Sequence, residues 1–155
     1  MSYKKKIVVS VSSDLSADQR VQKVCDTLVR NNFEVLLLGR KLSNSTRFSS
    51  NDYVAKRFKL WFNKGALFYA NLNICLFFTL LFAKLDVLYV NDLDTLLANY
   101  LVSKIKGVPI IYDSHEYFTE VPELVKRPSV HRVWERIEGF IVPRLTYCIT
   151  VTPQI

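Results

Sequence analysis

Glycine is scarce in this chain, with only four among 155 residues and none directly after the first predicted strand. A common dinucleotide-binding domain needs a G-x-G-x-x-G turn there, because the backbone must approach the pyrophosphate closely. The chain also has no G-x-x-x-x-G-K-[ST] phosphate loop and no G-x-S-x-G nucleophile elbow. These absences exclude NAD binding of the common kind, P-loop chemistry and hydrolysis by an elbow serine.

Cysteine is equally scarce, and the three that occur are Cys25, Cys75 and Cys148. They lie far apart in apolar segments, without a C-x-x-C pair or a neighbouring histidine, so the sequence predicts core thiols rather than a metal site or disulfides. The chain begins with three lysines of the kind that precede a signal peptide, but the apolar run at residues 7–11 is too short for one. We therefore expect a cytoplasmic protein.

Acidic residues are few in the first part of the chain. Residues 1–65 hold 13 Lys and Arg against 5 Asp and Glu, a net charge of +8, whereas residues 66–155 hold 8 against 9, a net charge of −1. This asymmetry favours an anionic partner such as a phospholipid surface or a pyrophosphate, although a solvated basic surface explains it nearly as well. Nucleic acid is not expected as a partner, because the chain lacks an arginine-rich run and an aromatic RNA-binding signature.

Strand-like and helix-like segments alternate along the whole chain. Apolar runs of strand length occur at residues 7–11, 33–38, 86–90, 108–112 and 147–151, with a half-exposed run at 53–62. The segments between them have apolar residues at helical spacing or are apolar throughout. We predict one Rossmann-like domain over residues 1–155, of the α/β class. It has a doubly wound, mainly parallel six-stranded sheet in the order 3-2-1-4-5-6, with helices on both faces.

Three local signals refine this prediction. Ser16 with Gln19 is typical of a capping box at the start of the first helix. Arg57 and Lys59 are interpreted as cations that protect an exposed sheet edge from pairing with another chain. Gly107 is expected to end the helix before strand five, because a proline follows it closely.

Residues 66–83 form the segment with the most alternatives, because they contain no charged residue. The length is borderline for a transmembrane helix, and Asn71 and Asn73 would be costly in lipid. The segment lies where a crossover helix is needed between two parallel strands, which favours a buried or interface helix. A helix lying in a membrane surface, a homodimer interface and a true span remain the alternatives.

Polar residues follow three of the predicted strands where the crevice of such a sheet is expected, at the carboxyl edge beside the switch point. The candidate substrate-binding residues are Ser13, Asp14, Asn91, Asp92, Asp113, Ser114 and Glu116, and the candidate catalytic residue is His115.

Two features of this set have alternative interpretations. Asp92 and Asp94 form a D-x-D pair that could hold a divalent ion, but Asp94 equally suits the first turn of a helix. His115 can donate or accept a proton near neutral pH, but a histidine at a strand end is as often a hydrogen-bonded loop residue. No metal site is predicted.

Several short motifs occur along the chain in a fixed order. After the first, fourth and fifth strands come Asp14-Leu15 with Asp18-Gln19-Arg20-Val21, then Asn91-Asp92, then Tyr112-Asp113-Ser114-His115-Glu116 with Pro122-Glu123-Leu124. Over residues 5–152 this order resembles the amino-terminal domain of bacterial GT-B glycosyltransferases of the family-4-like kind.

The resemblance implies half of a two-domain enzyme of the hexosyltransferase type. The amino-terminal domain would bind a polysaccharide or lipid-linked acceptor, and a carboxyl-terminal domain, absent from this chain, would bind the nucleotide sugar. His115 would match a histidine that reaches the donor sugar near the reacting carbon, Asp14 would line the cleft, and Asn91 and Asp92 would contact the acceptor. No metal or other cofactor is implied.

Two functional hypotheses follow from these observations. In the first, the chain is the acceptor half of a cytoplasmic glycosyltransferase, peripheral on the inner face of the cell membrane and inactive by itself. In the second, it is a non-catalytic Rossmann-like binding or assembly module that forms a homodimer through residues 66–83.

Overall fold

The computed structural model describes residues 3–115 and 127–151. All neighbouring strands in its single six-stranded sheet pair in parallel, in the order β3-β2-β1-β4-β5-β6. The strands are β1 (Lys6–Asp14), β2 (Glu34–Arg40), β3 (Val54–Phe58), β4 (Val87–Asn91), β5 (Ile110–Ser114) and β6 (Tyr147–Thr150). The predicted fold class and strand order are therefore confirmed.

Helices cover both faces of the sheet. On each face, residues of the strands and of the helices that pack there form a separate apolar cluster. One cluster contains Val21 and Cys25 of the first helix, and the other contains residues of the three further helices in the described part of the chain. The helices are α1 (Gln19–Arg30), α2 (Gly65–Phe82), α3 (Leu93–Lys106) and α4 (Pro128–Ile141), and a 3-10 turn at Val142–Arg144 follows the last.

The predicted capping box at the start of α1 is wrong. Asp18 is the N-cap, and its carboxylate accepts a hydrogen bond from the backbone N–H of Val21 at 3.0 Å. Ser16 lies outside the helix, where its hydroxyl donates to the Asp14 carboxylate at 3.0 Å. Both serine and aspartate are favourable N-caps, so residue type alone did not decide between them.

The predicted end of α3 is confirmed at Gly107, which has a φ of 67°. Its N–H donates to the carbonyl of Ser103 at 2.8 Å and so satisfies one of the last helical acceptors. The cysteine prediction holds for Cys25, which is buried, but not for Cys148, which is exposed on β6.

Helix α2 has two opposite apolar stripes. Phe68, Leu72, Leu76 and Leu80 are buried in the core cluster beneath α2 and α3. Their spacing of four residues keeps them on one face, so the buried part of the prediction for residues 66–83 is confirmed. By length and composition alone, α2 is also apolar enough to cross a membrane, and only 22% of its residues are buried.

Gly39 provides a test of the packing beside the end of β1. A Cβ at this position would lie 2.3 Å from Leu15 Cδ2 and 2.8 Å from Leu15 Cγ, and Leu15 is itself buried. We expect Gly39→Ala to lower the free energy of unfolding by about 1–3 kcal/mol, the usual cost of overpacking. Urea denaturation measures this difference.

Gly139 is the matched control, because it lies within α4 and a Cβ there would meet nothing within 4 Å. Gly139→Ala should leave stability unchanged or raise it by up to about 1 kcal/mol through helix propensity. Equal stability of Gly39→Ala and the wild type would show that Leu15 has room to move aside.

Candidate active site

The carboxyl ends of β1, β4 and β5 form the candidate site. Strand β1 is paired with β2 on one side and β4 on the other, so the connections leave the sheet in opposite directions at this point. Ligands of open α/β sheets bind in the crevice that such a switch point creates. Next to it, Asn91 of β4 is in register with Asp113 of β5.

His115 follows β5 and lies between two carboxylates. Its Nε2 lies 3.0 Å from Asp113 Oδ1, and its Nδ1 lies 3.4 Å from Asp92 Oδ1. The His115 backbone N–H also donates to Asp92 Oδ1, at 3.1 Å. The ring orientation is therefore defined on both sides, and the imidazole is positioned to carry or transfer a proton.

Asp113 links this histidine to the core of the sheet. Its second oxygen, Oδ2, accepts a hydrogen bond from the Tyr89 hydroxyl at 2.5 Å. Burial raises the pKa of Asp113, while the Tyr89 hydrogen bond and the charge of Arg20 act in the opposite direction. Tyr89 lies on the neighbouring strand, so the hydroxyl and the imidazole hold the carboxylate from two sides.

Asp92 has the most unusual backbone of the site. Its φ is 61° and its ψ is 163°, a conformation that costs non-glycine residues on the order of 1–3 kcal/mol. The strand β5 stabilises it, because the Asp92 N–H donates to the carbonyl of Asp113 at 3.0 Å. Asp92 is also the N-cap of α3, yet its side chain makes no capping bond and points to His115 instead.

Arg20, in the first turn of α1, extends the network to the other side of the crevice. Its Nη2 lies 3.6 Å from Asp92 Oδ2, and its Nη1 is buried without a hydrogen-bond partner. Asp92 therefore contacts a histidine and an arginine with its two oxygens. The cluster combines two acceptor carboxylates with an imidazole and a guanidinium.

Asp14 lies at the end of β1 and belongs to a separate cluster of polar side chains. It accepts hydrogen bonds from Ser16 and Ser45, and from Arg57 Nη2 at 3.1 Å. Burial by itself would raise its pKa, but the serine hydrogen bonds and Arg57 lower the pKa of Asp14 below its usual value. The Asp14 carboxylate thus ties the loop after β2 and the edge strand β3 to the end of β1.

This cluster corrects the interpretation of Arg57 as a cation that protects the sheet edge. The Arg57 side chain is only 12% exposed, and it also donates to the carbonyl of Thr46 at 3.0 Å. Lys59, by contrast, is exposed as predicted. Strand β3 also ends at Phe58, four residues earlier than the alternating pattern indicated.

The remaining candidate residues have structural partners or fall outside the described residues. Asn91 is buried, and its Nδ2 donates to the carbonyl of Ser10 at 3.0 Å. The Ser13 hydroxyl donates to Asp18 Oδ2 at 2.5 Å, and the buried Ser114 hydrogen-bonds Tyr112. Glu116 lies outside the described residues.

Asp94 lies in the first turn of α3, as one of its two interpretations predicted, and is fully buried. Burial raises its pKa to about 7, against the opposing effects of a Ser12 hydrogen bond and the charge of Arg40. Its Oδ1 has no hydrogen-bond partner. In residues 3–115 and 127–151, no group of three His, Cys, Asp or Glu side chains is arranged to hold a metal ion.

Sequence reasoning missed Tyr89 and Ser45, and it did not assign Arg20 a place in the site. Tyr89 reads as one more apolar residue of a buried strand, and Ser45 lies in a polar loop far from Asp14 along the chain. Arg20 belongs to the motif Asp18-Gln19-Arg20-Val21, so its position just inside the first helix was the available signal.

Several solved structures have an architecture similar to that of this chain. UGT2 of Phytolacca americana, complexed with UDP-2fluoro-glucose and pterostilbene, superposes on 81% of the chain with a TM-score of 0.55 and 15% identity. A UGT transferase of Siraitia grosvenorii in complex with UDP gives the same coverage and TM-score at 13% identity. SsfS6, a glycosyltransferase of Streptomyces sp. SF2575, matches 96% of the chain with a TM-score of 0.55 and 14% identity.

The fold is GT-B-like. The chain spans 35%, 32% and 51% of the lengths of these three structures, respectively. No protein-family model matches the chain, and the search of curated proteins found no match to it. The likeness therefore shows the fold alone, that of a Rossmann-like part of GT-B structures, and the bacterial family-4-like assignment remains a prediction.

Proposed function

We propose that this chain is the acceptor-binding half of a glycosyltransferase of the hexosyltransferase type. The enzyme moves a sugar from a nucleotide-sugar donor to a polysaccharide or lipid-linked acceptor, at the cytoplasmic face of a membrane. The observation that carries the proposal is the network of His115, Asp113, Asp92, Tyr89 and Arg20 at the switch point of a GT-B-like sheet.

The side chains of this network suit the chemistry of sugars. Carboxylates accept hydrogen bonds from hydroxyl groups, and Asp92 and Asp113 lie on either side of the imidazole. Arg20 supplies a positive charge beside Asp92, with one buried donor that has no protein partner. An anionic leaving group and a polyhydroxylated substrate would find complementary groups within one crevice.

In the proposed reaction, an acceptor hydroxyl forms a bond to the anomeric carbon while the bond from that carbon to the phosphate oxygen breaks. The nucleoside diphosphate leaves with the electron pair, and the hydroxyl proton passes to a base or to solvent. His115 acts near the reacting carbon by exchanging one of its carboxylate contacts for a sugar hydroxyl. Asp113, held by Tyr89, keeps the ring oriented throughout.

The donor would bind mainly to a second domain, with the groups that stabilise the departing diphosphate. Consistent with this division, the chain spans between 32% and 51% of the length of the glycosyltransferases it resembles. We expect residues 1–155 alone to show no turnover, because the groups that stabilise the departing diphosphate would belong to that second domain. No cofactor beyond the nucleotide-sugar substrate is proposed.

The test is a transfer assay with the complete natural gene product and with residues 1–155 alone. Each is incubated with radiolabelled UDP-, GDP- and dTDP-sugars and with lipid and polysaccharide extracts of the native cell. We expect label in one acceptor fraction, with release of an equal amount of nucleoside diphosphate, for the complete protein only. Transfer by residues 1–155 alone, or no release of diphosphate by the complete protein with any donor, would contradict the proposal.

A further inference from the structure

The outer face of α2 is an apolar stripe in contact with solvent. Leu67, Ile74, Phe78 and Phe82 are all exposed, and Phe82 is exposed by 82%. At 100° per residue these positions share one side of the helix, opposite the buried stripe that packs on the sheet. The helix is thus apolar on two sides, and the described residues cover only one of them.

Asn71 lies in the middle of this outer stripe and fastens a neighbouring loop to it. Its side-chain oxygen accepts a hydrogen bond from the backbone N–H of Trp61 at 2.9 Å. Trp61 is 88% exposed and the exposed Phe62 follows it, so two more aromatic residues lie in the loop that is fastened beside the stripe. The one polar side chain of the stripe therefore holds further apolar area in place.

Cations outnumber carboxylates around this surface, although Asp86 and Glu34 line the same depression as Phe82 and Lys84. Residues 53–85 contain five Lys and Arg and no Asp or Glu. Arg57 is paired with Asp14, but Lys59 and Lys64 are exposed at one end of the stripe and Lys84 at the other. Lys56 lies close enough to the helix that its charge partly opposes the burial that raises the pKa of Cys75.

We propose that this surface docks onto an anionic lipid bilayer, with α2 lying in the plane of the interface. The α2 surface comprises Trp61, Phe62, Leu67, Ile74, Phe78 and Phe82, with Lys59, Lys64 and Lys84 at its ends. Tryptophan and phenylalanine settle at the boundary between headgroups and acyl chains, and lysines there are attracted to anionic lipid. From Leu67 to Phe82 the stripe is about 23 Å long at 1.5 Å per residue, so it runs along most of the helix.

Two other occupants fit the observations less well. A helix that crossed the bilayer would have to withdraw Phe68, Leu72, Leu76 and Leu80 from the core they share with the sheet. A second copy of the chain would bring the lysines of two equivalent surfaces towards each other, because a twofold interface pairs the same patch with itself. An anionic lipid surface has the complementary charge.

The fluorescence of Trp61 provides the first test. The chain has two tryptophans, and Trp134 is buried, so Trp134→Phe leaves Trp61 as the only tryptophan without altering the surface. We expect its emission to shift to shorter wavelength with vesicles of phosphatidylcholine and phosphatidylglycerol at low salt. The shift should shrink with pure phosphatidylcholine or in 0.5 M NaCl, where charges are screened. Unchanged emission with the anionic vesicles would overturn the proposal.

Vesicle co-sedimentation of double variants provides the second test. Trp61→Ser with Phe82→Ser should lower partitioning into anionic vesicles by roughly tenfold or more, because the two most exposed apolar anchors are lost. The control is Tyr147→Ser with Val151→Ser, which removes exposed apolar groups from the α1 side of the sheet and should bind like the wild type. Equal loss in both pairs would overturn the assignment of this surface.

Two double variants with the same change of net charge test whether the position of the lysines matters, and not only their number. Lys59→Glu with Lys64→Glu should weaken binding several-fold more than Lys23→Glu with Arg30→Glu, which makes the same change of charge on the exposed side of α1. Sedimentation velocity without lipid completes the set. If the wild type forms a dimer that Trp61→Ser with Phe82→Ser abolishes, and no vesicle binding is detected, then the α2 surface binds a second copy of the chain and not a bilayer.

These measurements need no sugar donor, so they are independent of the proposed transferase activity. Failure of vesicle binding leaves the catalytic proposal intact, and failure of sugar transfer leaves the membrane surface intact. If both hold, the α2 surface keeps the crevice near a membrane that contains a lipid-linked acceptor.

Discussion

Replacing His115 by alanine in the complete protein should lower kcat by about 10²-fold or more, the usual scale for a positioned proton-transfer or electrostatic group. The variant removes the imidazole that lies 3.0 Å from Asp113 and 3.4 Å from Asp92. These two carboxylates would then lack the group between them, and their mutual repulsion would disturb the crevice further. Because the proposed contact forms at the reacting carbon, the main loss should fall on kcat rather than on KM.

The chain contains the natural control for this experiment. Its other histidine, His131, lies in α4 and faces Glu135 one turn away, with Nδ1 3.3 Å from the carboxylate. His131→Ala should therefore leave kcat and KM close to the wild-type values. Initial rates of diphosphate release over a range of donor concentrations separate the two constants. Equal kcat values for His115→Ala and the wild type would show that His115 is not catalytic and only orders Asp92 in the loop.

Tyr89 and Asp92 position the groups around His115, whatever further contact Asp92 makes with a sugar hydroxyl. Among the described residues, the Tyr89 hydroxyl donates to Asp113, and Asp92 contacts the histidine from a strained backbone conformation that a hydrogen bond to β5 stabilises. Strain of this kind persists only where surrounding contacts determine it, and it occurs often at functional sites. Its presence beside His115 supports a site rather than an ordinary loop.

Much of the fold could be predicted from the sequence because hydrophobic patterning sets element type. Apolar runs of strand length separated by helical stretches leave few topologies for a parallel sheet, and short right-handed connections restrict them further. The end of α3 at Gly107 was equally predictable, since glycine adopts a φ of 67° without steric cost. The carboxyl ends of β4 and β5 then brought Asp92, Asp113 and His115 together as expected.

The partners of the polar side chains could not be predicted in the same way. Arg57 lies 43 positions from Asp14, and nothing in the alternation of β3 distinguishes a paired cation from an exposed one. Tyr89 looked like a core residue because burial and hydrogen bonding to Asp113 are compatible. The buried face of α2 could not be predicted, because a helix that is apolar on every side has no hydrophobic periodicity to distinguish the buried stripe from the exposed one.

Asp94 should make the protein less stable as the pH rises from 5 to 8. This carboxyl is fully buried at the start of α3, with Ser12 as a hydrogen-bond partner and Arg40 and Asp92 as the charges that act on it. Burial dominates these influences and raises its pKa in the folded state from 3.8 to about 7. The folded state therefore keeps a proton on Asp94 at pH values where the unfolded chain has released it.

The sign of the effect follows from this difference in bound protons. Between about pH 4 and pH 7 the folded state binds more protons than the unfolded state, so the free energy of unfolding falls as the pH rises. One pKa unit corresponds to about 1.4 kcal/mol, so the fall between pH 5 and pH 8 amounts to about 2–3 kcal/mol from this residue. Below the unfolded pKa, near pH 4, the stabilisation is fully present.

Asp94→Asn isolates the contribution, because the amide has the same shape and does not titrate. Urea denaturation at pH 5 and pH 8 should show a large loss of stability in the wild type and a much smaller one in the variant. Asp113, whose pKa is also raised, and Asp14, whose pKa is lowered, affect both proteins alike and cancel in the comparison. The exposed Asp26→Asn in α1 should retain the wild-type pH dependence. Parallel curves for Asp94→Asn and the wild type would mean that Asp94 is ionised in the folded state throughout this range, with its charge compensated by Arg40 and the helix amino terminus.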